Sequence, residues 1–502
     1  IRTKSGNLTE DIIEKLLKAI VKYYKDYLKV DSVVICRDAR LSAPSLMEKL
    51  VDKFLQVGLE VFCNPLQSGT CTFYYSCMQR LTSGGIMITA SHNPGEYIGF
   101  KFVGKFCSPI ATGSGPFEGI TKIKELYLSE DIKFVKSQRA QVHIIDDSNS
   151  YVDYSMKLAG VEHNSLKGCK IFVDFLSGAM GSVFMSAFEK AGAIIHAKHF
   201  VPDGHFYYGD PNPIIESSVA EAKRLIQEGD YDFGFCFDGD GDRMDLLSPT
   251  GEQIVPGFNM AILIPEIKKL FQPVFLNNFD PKVYADVKAI PTAIAEIAKA
   301  KIDVHIIRNG HSFIKLKLQE NFTNQYLAAE EESAHYYMNF PVSATSWEKG
   351  VVATENTLYF ALLTAKMWKN NPNAYKMALV KQKSIFRYRE WPLHFDQHPD
   401  KMEEIMAEVE KTMADRGALI IKDMDDGSVL DATLMRFNLP CVIESTTQLN
   451  EEWVQVAQRI SRSEDAMTRW EVVSSKESLC ESFNSIVKEI ADRYEKEGFA
   501  YY

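Results

Sequence analysis

Directly after the apolar run Gly85-Ile86-Met87-Ile88 the chain reads Thr89-Ala90-Ser91-His92-Asn93-Pro94, and Gly99-Phe100-Lys101 follows shortly. Ser91 offers a hydroxyl nucleophile at the end of a strand-like segment, and Pro94 disfavours helix at Asn93, leaving the backbone looped around that hydroxyl. A second segment, Asp238-Gly239-Asp240-Gly241-Asp242-Arg243, alternates three carboxylates with small residues. Small neighbours let three carboxylates converge on one hard cation that prefers oxygen ligands. A calcium EF-hand would need Gly at the sixth loop position and Glu at the twelfth, where this chain has Arg243 and Pro249. The Gly-x-Ser-x-Gly elbow of a hydrolase is absent around Ser91. Together the two segments suggest a serine that carries phosphate beside a divalent cation. Read singly, Ser91 also fits a plain Ser/Asn turn, and the aspartates a solvated acidic turn.

Such loops need strands to hold them. Apolar residues recur at helical spacing over residues 8–28, with Asn7 as the expected N-cap and Glu10 three residues on. The β-branched run 32–36, a helical stretch 44–56 ending at Gly58, and the short runs 60–63 and 85–90 follow. The pattern returns with strand-like runs at 170–174, 193–196 and 232–237, and again at 283–287, 304–307 and 326–329. Strands alternating with helices of this length imply βαβ units and mainly parallel sheets, whose ligands gather at the carboxyl ends of strands. Beyond residue 371 the alternation weakens to an acidic helical run 401–412, an apolar run 417–421 and a terminal helix 477–494, which reads as α+β. The expected fold class is therefore α/β: three consecutive α/β sheet domains (1–148, 149–251 and 252–371) plus a C-terminal α+β domain (372–502), arranged around a central active-site cleft.

The 502 residues, 46% hydrophobic and 25% charged, suffice for several cores. A net charge of −11 argues against nucleic acid as a partner, because phosphate-backbone binding draws on a basic surface. Nine scattered cysteines without Cys-x-x-Cys spacing read as reduced thiols. No apolar stretch approaches a membrane span or a signal-peptide core, so the expectation is a cytoplasmic protein without a membrane partner, monomer or dimer.

The serine and aspartate segments resemble the active-site serine loop and metal loop of the α-D-phosphohexomutases of phosphomannomutase/phosphoglucomutase type, which move phosphate between the 1- and 6-positions of a hexose. Glu330-Glu331-Glu332-Ser333-Ala334-His335 is similar to that family's Gly-Glu-x-Ser-Gly-His sugar-binding loop, with Glu330 and Ala334 in place of both glycines. Arg308-Asn309-Gly310-His311-Ser312-Phe313-Ile314-Lys315 resembles its Gly-His helix start, and Lys288 matches a substrate-facing lysine. Arg459-Ile460-Ser461-Arg462-Ser463-Glu464 resembles its phosphate loop, with Asp465 where proline is expected. Fainter echoes are Arg37-Asp38-Ala39-Arg40, the Pro202-Asp203-Gly204 segment with Phe206, and Arg2. Taken alone, the glutamates also read as an acidic patch, His311 and His335 as structural histidines, and the echoes as turn chemistry.

What the resemblance implies is specific. Ser91, His92, Lys101, His311 and His335 fall at catalytic positions, with Ser91 phosphorylated and Lys101 a general acid or base. Ser91, Asp238, Asp240 and Asp242 would hold Mg²⁺. Arg2, Arg243, Lys288, Glu331, Ser333, Arg459, Ser461 and Ser463 would contact a phosphosugar. The phosphoserine would donate to a hexose monophosphate through a hexose 1,6-bisphosphate, which would also serve as activator. Lys101 could act as base only if its pKa fell from about 10.4. Glucose and mannose phosphates are the expected substrates; phosphoglucosamine mutase and a non-catalytic phosphosugar-binding paralogue are the alternatives.

Overall fold

The strand-like runs ahead of both motif loops become sheet interior. The computed structural model describes residues 2–129, 132, 140–276, 279–461 and 466–502. It forms two compact units, one made of Ile1–Pro256, His311–Thr323 and Ser333–Asn371, the other of Gly257–Gly310, Asn324–Glu332 and Pro372–Tyr502.

In the first unit, one sheet runs in the order Arg2–Lys4, Tyr97–Val103, Gly84–Ile88, Ser32–Arg37, Glu60–Gln67, Val142–Ile144. The last four strands are mutually parallel, while Tyr97–Val103 and Arg2–Lys4 run antiparallel to their neighbours. Val33, Val34, Ile35, Ile86, Met87 and Ile88 are all fully buried, as expected where helices cover both faces and strands need no polar alternation. Helix Glu10–Lys22 is capped by Thr9, whose hydroxyl accepts from the Ile12 N–H at 3.4 Å. Asn7 is therefore not the cap: it sits in a short 3₁₀ turn, Ser5–Asn7, while the extended backbone at Thr9 aims a hydroxyl at the helix start.

The second sheet of this unit pairs Ile194–Lys198, Lys170–Asp174 and Phe233–Phe237 in parallel, then adds Met244–Leu247 and Gln253–Ile254 antiparallel. Phe233–Phe237 is buried throughout. Helix His311–Glu320 and the hairpin of His335–Ser343 with Ser346–Glu355 also belong to this unit.

The second unit holds a parallel ladder of Asp303–Ile307, Lys282–Asp286 and Tyr326–Glu331. It also holds a fully antiparallel sheet in the order Phe386–His394, Met467–Ser474, Val454–Ile460, Val429–Phe437, Leu419–Asp423. Helices Lys401–Asp415 and Glu477–Lys496 cover that sheet through a core of Leu393, Val409, Met413, Val456, Trp470 and Val487. The mixed α/β architecture with several sheets agrees with the sequence reading, including the α+β character of the C-terminal region. Eight of the nine cysteines are buried and none is paired; Cys441 is exposed. Among the described residues no helix is long and apolar enough to cross a membrane.

Candidate active site

The Ser91 loop begins where strand Gly84–Ile88 ends, and the neighbouring antiparallel strand pairs Lys101 with Met87. This register returns Lys101 to the loop. The aspartate segment is the turn between the antiparallel strands Phe233–Phe237 and Met244–Leu247, so its three carboxylates gather at one sheet end. Gly239 permits the approach of the two loops: a Cβ there would lie 2.8 Å from the Ser91 carbonyl oxygen.

Ser91 is 2% exposed with φ +54°, a left-handed conformation that is uncommon outside glycine. Its Oγ donates to Asp238 Oδ2 at 3.1 Å and lies 3.2 Å from His92 Nδ1. One oxygen from each of Asp238, Asp240 and Asp242 falls within 4.8 Å of the others, and all three residues are buried. Lys101 Nζ is 2.7 Å from Asp240 Oδ2 and also pairs with Asp242. Thr70, which carried no sequence signal, donates its hydroxyl to Asp240 Oδ2 at 2.5 Å and lies 3.5 Å from Lys101 Nζ.

Burial and the charges of Asp242 and Asp240 push the Asp238 carboxyl above its usual range. Burial works to lower Lys101, but Asp240, Asp242 and Asp238 outweigh it and hold the ammonium above its ordinary value. The lowered Lys101 pKa that base catalysis requires is thus not a property of these protein charges: the same carboxylates that could bind a cation stabilise the protonated amine. His92 is kept neutral by burial and by the positive charges of Arg243 and Arg2.

Arg243 Nε stands 3.9 Å from Asp238 Oδ2, and its Nη1 donates to Asn212 Oδ1 at 3.4 Å. The exposed Arg2 donates to Asn93 Oδ1 at 2.9 Å. His335 Nε2 lies 3.3 Å from Asp242 Oδ1, and its Nδ1 lies 3.0 Å from Ser333 Oγ. Ala334 takes φ +68°, the conformation a glycine in the resembling loop would adopt without strain. His311 feels the charges of Lys315, Lys101 and Asp242, and its Nδ1 is 3.9 Å from Glu355 Oε1. Glu355 is bound at 2.9 Å by the buried Lys315, which also donates to Tyr74 Oη at 2.8 Å. Thr70 and Tyr74 share helix Thr70–Met78.

The second unit brings together the other candidates. Glu331 Oε1 accepts from the Gly310 N–H at 3.1 Å and from Asn309 Nδ2 at 3.4 Å. Lys288 donates its backbone N–H to Asp286 Oδ1 at 2.6 Å. Burial would lower its ammonium pKa, but Asp286, Glu390 and Glu471 raise it. Arg459, close to the end of strand Val454–Ile460, grips Glu390 with Nε at 2.6 Å and Nη2 at 2.8 Å. It sits opposite Arg469, a like-charge pair that Glu390 offsets by also accepting from Arg469 Nη1 at 3.3 Å. Arg387 bridges Glu471 at 3.0 Å and Glu332 at 2.7 Å. Glu390, Arg387 and Glu471 had no motif to announce them. Glu330 is 1% exposed with both carboxylate oxygens unpartnered, and burial with Glu332 and Asp286 nearby raises its pKa well above normal. Ser461 is buried and donates its N–H to the Met467 carbonyl, whereas Ser463 lies outside the described residues.

The domain I pattern of the phosphoglucomutase/phosphomannomutase family, an alpha/beta/alpha domain, matches residues 1–116, and its domain II pattern matches residues 149–251. A phosphomannomutase of Salmonella montevideo is 28% identical over 338 residues, covering 66% of this chain and 70% of its own length. A phosphoglucomutase/phosphomannomutase family protein from Burkholderia thailandensis superposes with a TM-score of 0.76 at 18% identity, covering 99% of this chain and 96% of that one. An Aspergillus fumigatus N-acetylphosphoglucosamine mutase, solved with GlcNAc-6P and magnesium, superposes at 0.58 and 11% identity over 98% and 93% of the two chains. At these identities the structural matches speak to fold, and the sequence matches to descent. Residues 1–116 and 149–251 belong to the first two domains of the phosphoglucomutase/phosphomannomutase family, and with the phosphomannomutase relatives they mark the chain as a hexose-phosphate mutase, an isomerase.

Proposed function

We propose that the chain interconverts 1-phospho and 6-phospho forms of glucose and mannose through a phosphorylated Ser91. The observation that carries this reading is the contact of Ser91 Oγ with Asp238 at 3.1 Å inside a cluster where three buried aspartates converge. Phosphorylated Ser91 donates its phosphoryl group to the free hydroxyl of a bound hexose monophosphate, giving a hexose 1,6-bisphosphate. The bisphosphate turns over and returns its other phosphate to Ser91. The serine O–P bond that breaks in the first half forms again in the second, so the enzyme ends as it began.

Three buried carboxylates, one of them with an unpartnered oxygen at Asp240 Oδ1, form an oxygen-only donor set that suits a hard divalent cation. Mg²⁺ held by Asp238, Asp240 and Asp242 would supply charge neutralisation for the transferring phosphoryl group, as the magnesium complex of the Aspergillus enzyme makes reasonable. Lys101, beside these carboxylates, is the acid or base that exchanges a proton with the sugar hydroxyl. Arg243 offsets phosphate charge, and His335, tied to Asp242 and Ser333, orients the acceptor. Phosphoryl transfer asks chiefly for alignment and charge stabilisation, which these fixed groups provide. Lys288, Arg459 and Ser461 are assigned to the substrate phosphate, and Glu331 and Ser333 to sugar hydroxyls.

The deciding experiment is a coupled mutase assay with Mg²⁺ on glucose-, mannose- and glucosamine-phosphates, with intact-mass measurement of the protein. Turnover of the first two, a phosphate adduct on the wild type and its absence in an inactive Ser91→Ala variant are expected. Preference for glucosamine phosphate would replace the substrate assignment; full activity in Ser91→Ala would reject the phosphoserine route.

A further inference from the structure

The Arg37-Asp38-Ala39-Arg40 turn is bound to the nucleophile loop far more tightly than turn chemistry requires. Arg40 is fully buried, and its guanidinium uses all five N–H donors. Nε binds Asp38 Oδ2 at 3.1 Å. Nη1 binds the Pro94 and Tyr97 carbonyls at 2.6 and 2.9 Å, and Nη2 binds those of Ser91 and Asn93 at 2.8 and 2.6 Å. Four carbonyls of a single loop thus converge on one cation.

Asp38 extends the grip to the other side of Ser91. Its Oδ2 also accepts from Thr89 Oγ1 at 2.6 Å, and Thr89 Oγ1 in turn accepts from the Ser91 N–H at 2.8 Å. Peptide groups are planar, so fixing the N–H of Ser91 through Thr89 and its C=O through Arg40 fixes both planes that meet at its Cα. Backbone φ is thereby pinned at +54°, a value that persists only where surroundings over-determine it. The direction of Cα–Cβ, and with it the arc open to Oγ, follows. The loop that follows strand Ile194–Lys198 closes over the clamp: the Phe206 ring lies 5.3 Å from the Arg40 guanidinium carbon, and a Cβ on Gly204 would sit 2.4 Å from the Ala39 carbonyl oxygen.

We propose that Arg40, braced by Asp38 and Thr89, is the positioning residue of the phosphoryl transfer, holding Ser91 Oγ against Asp238 in the line of reaction. This rests on the reading of Ser91 as phosphate carrier. Arg40 touches neither substrate nor reacting atoms, and it works through the backbone. Lysine keeps the charge but has three donors on one nitrogen and cannot span four carbonyls.

The test uses the full chain with Mg²⁺ and compares wild type, Arg40→Lys, Thr89→Val and Thr89→Ser. Measured are kcat, KM for hexose 1-phosphate, the rate at which hexose 1,6-bisphosphate places phosphate on Ser91 by intact mass, and thermal melting. Arg40→Lys should lower kcat and the phosphate-uptake rate together by about 100-fold, the scale of a small misplacement, with little change in KM. Thr89→Val should lower both by about 10-fold, and Thr89→Ser, which keeps the hydroxyl, should restore them. A lower melting temperature with normal kcat, or a loss confined to KM, would make Arg40 a stability element and overturn the proposal. If Arg40→Lys fails to fold, equal kcat in Thr89→Val and Thr89→Ser overturns it. Wild-type turnover without phosphate on Ser91 would sink the phosphoserine reading and take the positioning role down with it.

Discussion

The Ser91 cluster and the Arg459 cluster solve opposite electrostatic problems. In the first unit, three buried aspartates crowd together, and a lysine and a threonine partly satisfy them while Asp240 Oδ1 remains without a partner. In the second, the cations Lys288, Arg387, Arg459 and Arg469 are matched by Glu390, Glu471, Glu332 and Asp286. An excess of clustered carboxylate draws a metal and resists a second phosphate unless that metal is present. A paired arginine is pre-shaped for an oxyanion, yet it must loosen a carboxylate to take one. On the proposed reading, the contrast separates a site for chemistry from a site for recognition.

Lys101→Met gives the largest expected separation. It should leave the Ser91 adduct intact and lower kcat by about 10²- to 10⁴-fold, the usual range for losing a general acid or base, in the coupled assay. Near-normal kcat would move proton transfer to another group.

Acid titration probes the second unit. Burial would raise the Glu390 pKa, but Lys288 and Arg459 hold it at about 2. A depressed carboxyl contributes stability above its unfolded pKa, which is lost as pH falls through the folded one. The stability gap between wild type and Glu390→Gln should therefore be widest above pH 4.5, on the order of 3 kcal/mol, and shrink towards pH 2. Chemical denaturation across that window reads it, and a constant gap would mean that Glu390 is not held by its cations.

Arg459→Ala should raise KM about 10- to 100-fold with a smaller change in kcat, because a bidentate charge-assisted contact made equally to substrate and transition state is lost. A fall in kcat at constant KM would place Arg459 with the chemistry instead and erase the distinction between the clusters.

The smallest expected change sharpens the comparison from the loop that links them in sequence. Ala334→Gly relieves a left-handed alanine at φ +68° and should stabilise the protein by roughly 1 kcal/mol in denaturant melts, less any gain in unfolded-chain entropy. Destabilisation would show that the fully buried methyl group packs better than the backbone strains.

The first cluster was legible because its chemistry is written in contiguous residues: Thr89 to Pro94 and Asp238 to Arg243 each carry a loop whole, and the runs before them are strands. The antiparallel return of Tyr97–Val103, which delivers Lys101, is invisible to a reading that follows only alternating βα units. Thr70 looks like any helix-start residue until Asp240 arrives from a distant part of the chain. In the second cluster Lys288, Glu332 and Arg459 lay in recognisable stretches, but most of the residues that pair with them did not. Glu390 and Arg387 come from a strand whose neighbour in the sheet, Met467–Ser474, lies far along the sequence, and cross-strand pairing of that kind leaves no local pattern. Glu330 was legible as a departure from a family loop, but its burial without a partner was not. The cap at Thr9 shows the same limit at small scale, since backbone geometry chose between two plausible hydrogen-bonding side chains.

Helix Thr70–Met78 sets a limit on how this part of the chain tolerates change. Thr70 and Tyr74 stand one turn apart on the same flank, the former gripping the Asp240 turn and the latter the Lys315 ammonium. The helix therefore acts as a ruler between three stretches of polypeptide that are remote in sequence. Loops leading to and from it can lengthen freely, whereas one residue inserted between positions 70 and 74 would rotate the two marks apart by about 100° and leave no single docking in which both could be read.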